Sequence, residues 1–254
     1  MTGRLVIIGT GPGGLEHLSP AASRALEGAT DLVAYPLYVD LLGEIVAGKA
    51  RHDSPLGDEI GRARRSLELA AEGRSVALIS SGDAGIYAMA TLVFELLEHE
   101  ALPAWHEVEI AVVPGISALQ ACASRVGAPL AHDFCTISLS DLLTPWETIE
   151  TRIRAAGLGD FVVAFYNPVS QKRTWQLARA RELLLEKRPA DTPVIIGRNV
   201  TRATEQITIT TLGELDPAQV DMLTIVLVGN SETRRVGQWV YTPRGYAKKL
   251  GADA

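Results

Sequence analysis

LVIIGTGPGG (residues 5–14) is an apolar strand pattern that leads directly into a glycine-rich loop. The next helix signal comes only at Ser19-Pro20, because serine is a favoured helix N-cap and proline suits the first helical position. Gly28 ends that helical pattern, and a second apolar run, DLVAY (31–35), follows it. A strand, a loop, a helix and a second strand in this order predict an α/β unit.

The same alternation continues along the chain. Short runs rich in Val and Ile predict further strands, and most of them are typical of strands buried on both faces. These runs are VALIS (76–80), VEIAVV (108–113), FVVAFY (161–166), PVIIG (193–197), QITITT (206–211) and LTIVLVG (223–229). Helical patterns lie at 58–72, 84–98 and 116–126. The sequence as a whole therefore predicts an α/β fold.

The segment GAPLAHDF (127–134) interrupts this pattern with a glycine and a proline. A second set of strand and helix patterns follows it. The sequence therefore predicts an N-terminal α/β domain at 1–126, a linker at 127–134 and a C-terminal α/β domain at 135–254.

Composition excludes several classes of protein. The 254 residues are 47% hydrophobic and 21% charged, which is typical of a soluble globular protein. No apolar run approaches the roughly 20 residues that cross a bilayer, and no signal-peptide pattern opens the chain, so we expect a cytoplasmic protein without a membrane partner. The net charge of −6 argues against broad nucleic-acid binding.

The cysteines and histidines predict neither a disulfide framework nor a metal site. Cys122 and Cys135 are expected to be buried free thiols. The five histidines never fall at a spacing typical of metal ligands.

The string GTGPGG (9–14) also satisfies the dinucleotide-binding pattern G-x-G-x-x-G, which makes an NAD-dependent oxidoreductase one hypothesis. Two features count against it. The helix begins late, at Pro20, so its amides do not follow the third glycine. The second strand lacks an acidic residue at its end, since Asp31 lies at its start. A tight turn without a ligand is a further alternative for this loop.

Five motifs, in order and spacing, resemble the tetrapyrrole methylase family: GTGPGG (9–14), SSGDAGIYA (80–88), PGISALQ (114–120), AFYNP (164–168) and VIIGRN (194–199). The resemblance implies a class III methyltransferase with two αβα domains, a homodimer, and S-adenosylmethionine bound in the cleft between the domains. Residues 165–215 are most similar to the branch of the family that methylates precorrin-3B at C17 and contracts its ring in cobalamin biosynthesis.

The resemblance also implies which residues bind the cofactor. They are Pro12, Ser81, Gly82, Asp83, Ile86, Tyr87, Ser117, Ala118, Tyr166, Asn167, Arg198, Asn199, Thr224, Ile225 and Val226. Two of them have a purely structural alternative, because Asp83 could be the N-cap of the helix predicted at 84–98 and Ser117 the N-cap of the next.

No general acid or base is singled out by the sequence. Methyl transfer from a sulfonium mainly requires positioning and exclusion of water, whereas ring contraction also calls for proton donors and acceptors. Candidates for that role are Asp83, Tyr38, Asp40, Lys49, His52 and Tyr166. Where uroporphyrinogen methylases of the family carry an acidic residue near the end of the second strand, this chain has Pro36.

Because the tetrapyrrole carries many carboxylates, we expect several arginines to bind it. The candidates are Arg51, Arg198, Arg202 and Arg234. The alternative for Arg198 and Arg202 is a surface ion pair with Glu205 or Glu214. The basic residues of GRARRS (61–66) are expected to lie on a solvated helix face. Trp146, Trp175 and Trp239 are expected to line the tetrapyrrole or to pack in the core or an interface.

Two further functions stay open on the sequence alone. A sister enzyme, such as one that methylates precorrin-4 at C11, would share the cofactor residues. A noncatalytic sensor would keep the cofactor site, although no fused signalling segment is recognisable.

Overall fold

The structure is a computed structural model that describes residues 2–246 and 249. The chain divides into two compact units, Met1–Ala118 and Leu119–Ala254. Residues 247, 248 and 250–254 of the predicted C-terminal domain lie outside the described residues. No helix in the described ranges is both long enough and apolar enough to span a membrane.

A five-stranded parallel sheet forms the centre of the first unit. Its strands are β1 (Arg4–Gly9), β2 (Asp31–Ala34), β3 (Ala50–Asp53), β4 (Ser75–Ser80) and β5 (Glu109–Val113), in the spatial order β3-β2-β4-β1-β5. The Val- and Ile-rich inner strands are almost wholly buried, whereas β3 and β5 at the edges are partly exposed. The polar sequence of β3 explains why the apolar patterns do not predict it.

The helices of the first unit cover both faces of this sheet. They are α1 (Pro20–Gly28), α2 (Pro36–Asp40), α3 (Glu59–Ala71), α4 (Met89–Glu100) and α5 (Pro103–His106). One core cluster joins Leu5 and Ile7 to α3 and α4, and another joins Val6 and Ile8 to α1 and α2. Since alternate residues of a strand point to opposite faces, the unit is an αβα sandwich.

The start of α1 is as predicted. The Ser19 hydroxyl accepts a hydrogen bond from the Ala22 amide at 3.1 Å, and Pro20 opens the helix. A short 3-10 turn, Leu15–His17, occupies the loop before it. The late start of α1, which counts against NAD binding, is therefore confirmed.

Two predictions in this unit are wrong. The helix predicted at 84–98 begins at Met89, because Tyr87 has the left-handed φ of +51° and interrupts the helical backbone. Arg62 is not solvated with the other basic residues of GRARRS, since only 4% of it is exposed. Its guanidinium donates to Ser54 Oγ at 2.8 Å and to the Pro55 carbonyl at 2.9 Å, which compensates its burial.

The second unit contains a mixed five-stranded sheet. Its strands are β7 (Phe134–Ser138), β8 (Val162–Tyr166), β9 (Pro193–Arg198), β10 (Gln206–Thr211) and β11 (Thr224–Val228). Their spatial order is β10-β9-β11-β8-β7, and only β7 and β8 pair in parallel. Its helices are α6 (Ala118–Val126), α7 (Trp146–Leu158) and α8 (Gln176–Leu185). The apolar patterns miss β7, an edge strand without regular alternation.

Helix α6 packs on one face of this sheet and helices α7 and α8 on the other. A Cβ on Gly197 of β9 would lie 2.5 Å from Cys122 Sγ of α6, so the glycine lets helix and strand approach closely. The opposite face joins Phe165 and Val226 to Ile149 and Leu184 in one buried cluster. The second unit is therefore also an αβα sandwich, as expected.

A small three-stranded sheet completes the second unit. It consists of β6 (Gly127–Ala128), β12 (Arg234–Val236) and β13 (Trp239–Tyr241), in the order β12-β13-β6. The Thr242 hydroxyl donates to the Pro129 carbonyl at 2.6 Å and reinforces this pairing. The segment 127–134 therefore lies inside the second unit, and the division between the units comes earlier, before most of α6.

Both cysteines are free thiols, as predicted, with Cys122 buried and Cys135 partly buried. Burial raises the pKa of Cys122 to about 12 and also raises the pKa of Cys135. Because the thiolate is the reactive form, we expect iodoacetamide at pH 8 to leave both cysteines of the folded protein unmodified. Mass spectrometry should find both alkylated once guanidinium is added, and alkylation of Cys122 in the folded state would contradict its buried position.

Candidate active site

Three loops meet beyond the carboxyl ends of β1, β4 and β5, which are neighbours in the first sheet. The loops after β1 and β4 are joined by two backbone hydrogen bonds. The Gly11 amide donates to the Gly82 carbonyl at 3.1 Å, and the Gly82 amide donates to the Gly11 carbonyl at 2.7 Å. This edge of an open α/β sheet is where such folds bind ligands.

Glycines allow the three loops to touch. A Cβ on Gly115 would lie 2.2 Å from the Gly82 carbonyl oxygen and 2.6 Å from the Gly9 carbonyl oxygen, and a Cβ on Gly9 would lie 2.7 Å from the same Gly82 oxygen. We call this contact of Gly9, Gly82 and Gly115 the glycine junction. Gly82 has a φ of +67° with open space beside its Cα, so a ligand can approach the backbone there.

The Asp83 carboxylate fastens the glycine junction. Its Oδ1 accepts the Gly85 amide at 2.8 Å within its own loop, and its Oδ2 accepts the Gly115 amide at 3.1 Å from the loop after β5. Helix α4 begins further on, with Ala88 as its N-cap. The alternative interpretation of Asp83 as the N-cap of that helix is therefore wrong.

The other candidates of the first unit lie on the same three loops. Pro12 and Ser117 are buried, whereas Ser81, Ile86 and Ala118 are half-buried. Tyr87 is 51% exposed. The predicted cofactor residues of this unit are thus brought to one edge of the sheet.

The order of strands in the parallel sheet also argues against NAD binding. In the dinucleotide-binding fold the first strand adjoins the second, whereas β1 lies here between β4 and β5. No helix N-terminus follows the glycine loop directly, because α1 begins at Pro20. A pyrophosphate would therefore lack the helix-end amides that this fold supplies.

In the second unit, Tyr166 and Asn167 follow the carboxyl end of β8. The Tyr166 hydroxyl accepts the Leu119 amide at 3.2 Å, in the first turn of α6. Asn167 has a φ of +50°, and its side-chain amide donates to Ser138 Oγ at 3.0 Å. The chain therefore turns sharply here, at two residues that the family resemblance assigns to the cofactor.

Arg173 holds this turn and is not predicted from the sequence. Its Nη1 donates to the carbonyls of Leu139 and Asn167, both at 3.0 Å, and so ties the loops after β7 and β8 together. It lies within FYNPVSQKRTW (165–175), but no strand end or helix start marks it. Only its nearness in sequence to Asn167 could have suggested a role.

Arg198, Asn199 and Thr224 come together where β9 ends and β11 begins. Arg198 Nε donates to Asp221 Oδ2 at 2.7 Å, and Thr224 Oγ1 donates to Asp221 Oδ1 at 2.8 Å. Asn199 is buried, and its side-chain amide donates to Thr204 Oγ1 at 2.9 Å. Ile225 and Val226 are buried within β11. Arg198, Asn199 and Thr224, three of the residues predicted to bind the cofactor, thus lie close together.

Asp221 is a second residue that the sequence analysis does not predict. Burial raises its pKa, but hydrogen bonds from Arg198, Thr224 and the Leu223 amide outweigh that effect, so its pKa is lowered overall. The alternative partners predicted for Arg198, Glu205 and Glu214, are wrong for this residue, since its ion pair is with Asp221 at 2.7 Å. The sequence feature that could have suggested Asp221 is an acidic residue two positions before the strand predicted at 223–229.

Other candidates of the first unit lie around β2 and β3. Lys49 Nζ donates to the carbonyls of Glu27 at 3.0 Å and Ala29 at 2.7 Å, at the end of α1, which is a structural role. His52 Nε2 lies 2.8 Å from the buried Asp31, which also pairs with Arg74 at 2.9 Å. Tyr38 packs edge-on against Tyr35.

The candidate arginines are dispersed over the fold. Arg51 pairs with Asp40 at 3.0 Å and with Asp53 at 3.1 Å, so opposite charges already surround it. Arg202 is half-buried in the loop after β9, in the same loop as Asn199. Arg234 lies on β12 of the small sheet and pairs with Glu232 at 3.3 Å.

The tryptophans are not all in the core. Trp146 and Trp175 contact each other edge-to-face with ring centroids 4.7 Å apart, and Trp175 is 49% exposed. Trp239 is 52% exposed. Within residues 2–246 and 249, no three His, Cys, Asp or Glu side chains come together in a way that could hold a metal ion.

Comparison with known proteins identifies the family. Residues 4–216 match the family described as Tetrapyrrole (Corrin/Porphyrin) Methylases. The precorrin-3B C(17)-methyltransferase of Sinorhizobium sp is 45% identical, covering 97% of this chain and 98% of that protein. The crystal structure of the methyltransferase CobJ superposes with a TM-score of 0.90 at 45% identity, covering 95% of this chain and 100% of that one.

A third relative is longer than this chain. The cobalt-factor III methyltransferase of Priestia megaterium is 45% identical over 98% of this chain, but the match covers 46% of that protein. The chain therefore spans about half the length of this relative. The family match covers most of the chain, and the motifs that form the glycine junction lie within it, so this chain belongs to the tetrapyrrole (corrin/porphyrin) methylase family.

Proposed function

We propose that this chain is an S-adenosylmethionine-dependent methyltransferase that methylates precorrin-3B at C17 and contracts the ring to give precorrin-4 in cobalamin biosynthesis. The observation that carries the proposal is the glycine junction with Asp83, which brings three family motifs to the ligand-binding edge of a parallel sheet. The identity of 45% to a C(17)-methyltransferase over nearly the whole chain supports this choice of reaction.

The residues of the glycine junction fit the proposed cofactor. S-adenosylmethionine is a compact cation with an amino-acid end, so it calls for close backbone approach and polar anchors. Open space beside Gly82 allows that approach, and the Asp83 carboxylate supplies negative charge next to it. When bound, the cofactor supplies an already activated methyl group, so the protein mainly has to orient it and exclude water.

The residues proposed to bind the cofactor are those that the family resemblance implies. In the first unit they are Pro12, Ser81, Gly82, Asp83, Ile86, Tyr87, Ser117 and Ala118. In the second unit they are Tyr166, Asn167, Arg198, Asn199 and Thr224 to Val226. For substrate carboxylates we favour Arg198 and Arg202, because both lie at or just after the end of β9, next to the proposed cofactor residue Asn199, whereas Arg51 and Arg234 lie on other strands.

The reaction is tested by incubating the purified chain with methyl-labelled S-adenosylmethionine and precorrin-3B. We expect mass analysis to find one added methyl group and the ring-contracted product. Precorrin-4 offered instead tests the alternative of a C11-methyltransferase. Cobalt-factor III tests whether the cobalt-containing substrate is preferred. Binding of S-adenosylhomocysteine without methylation of any of the three would indicate a noncatalytic sensor.

Cofactor choice is tested separately by calorimetry. We expect binding of S-adenosylmethionine and S-adenosylhomocysteine but not of NAD. Tight binding of NAD, with no response to either sulfur compound, would end the methyltransferase proposal.

Replacing Asp83 by alanine should weaken cofactor binding in a protein that still folds. Both carboxylate oxygens hold loop amides, so their loss frees the loops after β4 and β5 from each other. We expect the dissociation constant for S-adenosylhomocysteine to rise at least about tenfold, with a loss of about 1–3 kcal/mol in unfolding free energy. Calorimetry and chemical denaturation measure the two effects.

Ser19→Ala is the matched control, because it removes a side chain that only caps α1. It should cost about 1 kcal/mol of stability and leave the cofactor affinity unchanged. If Asp83→Ala behaved like Ser19→Ala, Asp83 would be a structural residue alone.

We also propose a homodimer, as the family resemblance implies, that is cytoplasmic and has no nucleic-acid or membrane partner, as the composition predicts. Sedimentation at micromolar concentration should give the mass of two chains. A single species of 27.2 kDa would contradict the dimer.

A further inference from the structure

We propose that Asp221 is a positioning residue that holds Arg198 by Nε and thereby presents its two terminal nitrogens, Nη1 and Nη2, to a carboxylate of the bound ligand. This inference rests on the proposed function, since it deepens the role of Arg198 there. The anion is a carboxylate of the tetrapyrrole or of the amino-acid end of the cofactor, and the experiment below separates the two.

The Arg198 side chain is held at one point. Its Nε donates to Asp221 Oδ2 at 2.7 Å, and within the described part of the chain it has no other hydrogen-bonding partner. Arginine–carboxylate pairs are frequently bidentate, with two parallel N–H groups, whereas this pair uses Nε alone. The Nη1 and Nη2 edge therefore keeps a fork of donors that matches the geometry of a second carboxylate.

Asp221 is itself fixed by its own turn. Its Oδ1 accepts the Leu223 amide at 2.9 Å and the Thr224 hydroxyl at 2.8 Å, while its Oδ2 is left for Arg198. Thr224 pairs with Arg198 in the register of β11 and β9. The two oxygens thus have separate tasks: one shapes the loop before β11, and the other orients the arginine at the end of β9.

The Arg198–Asp221 ion pair is exposed, so its contribution is to orient Arg198 and not to stabilise the fold. The Arg198 side chain is 36% exposed and the Asp221 side chain 42% exposed. Ion pairs this accessible add at most about 1 kcal/mol to stability, so the fold does not depend on this one. The same exposure lets a ligand reach the terminal nitrogens.

Asp221→Asn separates the two tasks. The asparagine Oδ1 can still accept from Leu223 and Thr224, whereas its NH₂ group would face the Arg198 Nε–H, where two donors cannot bond. The turn before β11 should therefore stay intact, whereas Arg198 should lose the hydrogen bond that holds its Nε. Asp216→Asn is the matched control, because Asp216 also shapes a turn, by accepting the Ala218 amide at 2.9 Å, and forms no ion pair in the described chain.

Equilibrium titrations should use precorrin-3B in the presence of S-adenosylhomocysteine, and S-adenosylhomocysteine alone. We expect Asp221→Asn and Arg198→Ala each to raise the dissociation constant of precorrin-3B about tenfold. A rise in the dissociation constant of S-adenosylhomocysteine instead would place the carboxylate on the cofactor. The double variant should be no worse than Arg198→Ala, because Asp221 acts through the arginine. Asp216→Asn should stay within about twofold of the wild type. The melting temperatures of all the variants should stay close together.

Two outcomes would overturn the inference while the proposed function stands: wild-type dissociation constants for Asp221→Asn, or an Asp221→Asn effect that persists in the Arg198→Ala background. Arg198→Lys gives a second approach, because lysine keeps the charge but lacks Nε and the fork. Wild-type binding by Arg198→Lys would also overturn it. A wild-type protein that binds no tetrapyrrole and no S-adenosylhomocysteine would remove the proposed function together with this inference.

Discussion

Gly115→Ala should abolish cofactor binding. The new Cβ would lie 2.2 Å from the Gly82 carbonyl oxygen and 2.6 Å from that of Gly9, and both are backbone atoms that cannot rotate away. The loops after β1, β4 and β5 must then separate, which also stretches the bond from the Gly115 amide to Asp83. We expect the affinity for S-adenosylhomocysteine to fall at least about a hundredfold, and the unfolding free energy to fall by about 3 kcal/mol.

Gly28→Ala is the control for this substitution. Gly28 ends α1, and a Cβ there meets nothing within 4 Å. Alanine should leave cofactor binding unchanged and stabilise the protein by up to about 1 kcal/mol. Calorimetry and thermal unfolding of the two variants give the comparison. A Gly115→Ala protein with wild-type affinity would mean that the loops need not touch.

Arg188→Ala should destabilise the protein even more than Gly115→Ala. Arg188 is 4% exposed, and its guanidinium donates to the carbonyls of Gly229 at 2.7 Å, Ala156 at 3.2 Å and Phe161. Alanine would leave the Gly229 and Phe161 carbonyls without this donor and would create a cavity. The Ala156 carbonyl would keep the Phe161 amide at 3.1 Å. We expect the unfolding free energy to fall by about 3–5 kcal/mol.

Lys187→Ala changes the neighbouring residue, which is exposed, and should stay within about 0.5 kcal/mol of the wild type. Arg188→Met separates the two causes, since methionine fills most of the space but supplies no donor. Denaturation midpoints measure all three, and hydrogen exchange at β8 and β11 locates the loss. An Arg188→Met protein as stable as the wild type would show that the carbonyls find other partners.

The first unit could be predicted well because its signals are local. Strong apolar runs mark the buried strands, and Ser19 with Pro20 marks the start of α1 within one residue. The edge strand β3 has the sequence ARHD, which carries no apolar pattern, so only its pairing with β2 makes it a strand. Apolar runs therefore predict the buried central strands but can miss an edge strand such as β3.

The candidate site could be predicted in position but not in its connections. The loop motifs lie at strand ends, and sequence reasoning brings them to one edge of the sheet. The sequence does not show that the Asp83 carboxylate accepts a hydrogen bond from the Gly115 amide, which lies on another loop. An N-cap role for Asp83 is therefore left open by the sequence. Likewise the partner of Arg198 is Asp221, across an antiparallel pair, and not the glutamates nearer in sequence. Contacts between distant segments are set by strand order, which a single sequence does not display.

The small sheet bears on how the chain folds during synthesis. Its strand β6, at Gly127–Ala128, pairs with β13, and Thr242 bonds Pro129, so residues at the start of the second unit find their partners more than a hundred positions later. The first unit needs nothing beyond Ala118 for its own sheet and can form while the ribosome is still translating the rest. The small sheet of the second unit must wait until Thr242 has left the exit tunnel. A ribosome stalled before β13 should therefore carry a protease-resistant first unit, while Gly127–Ala128 still lacks its partner strand and is open to protease.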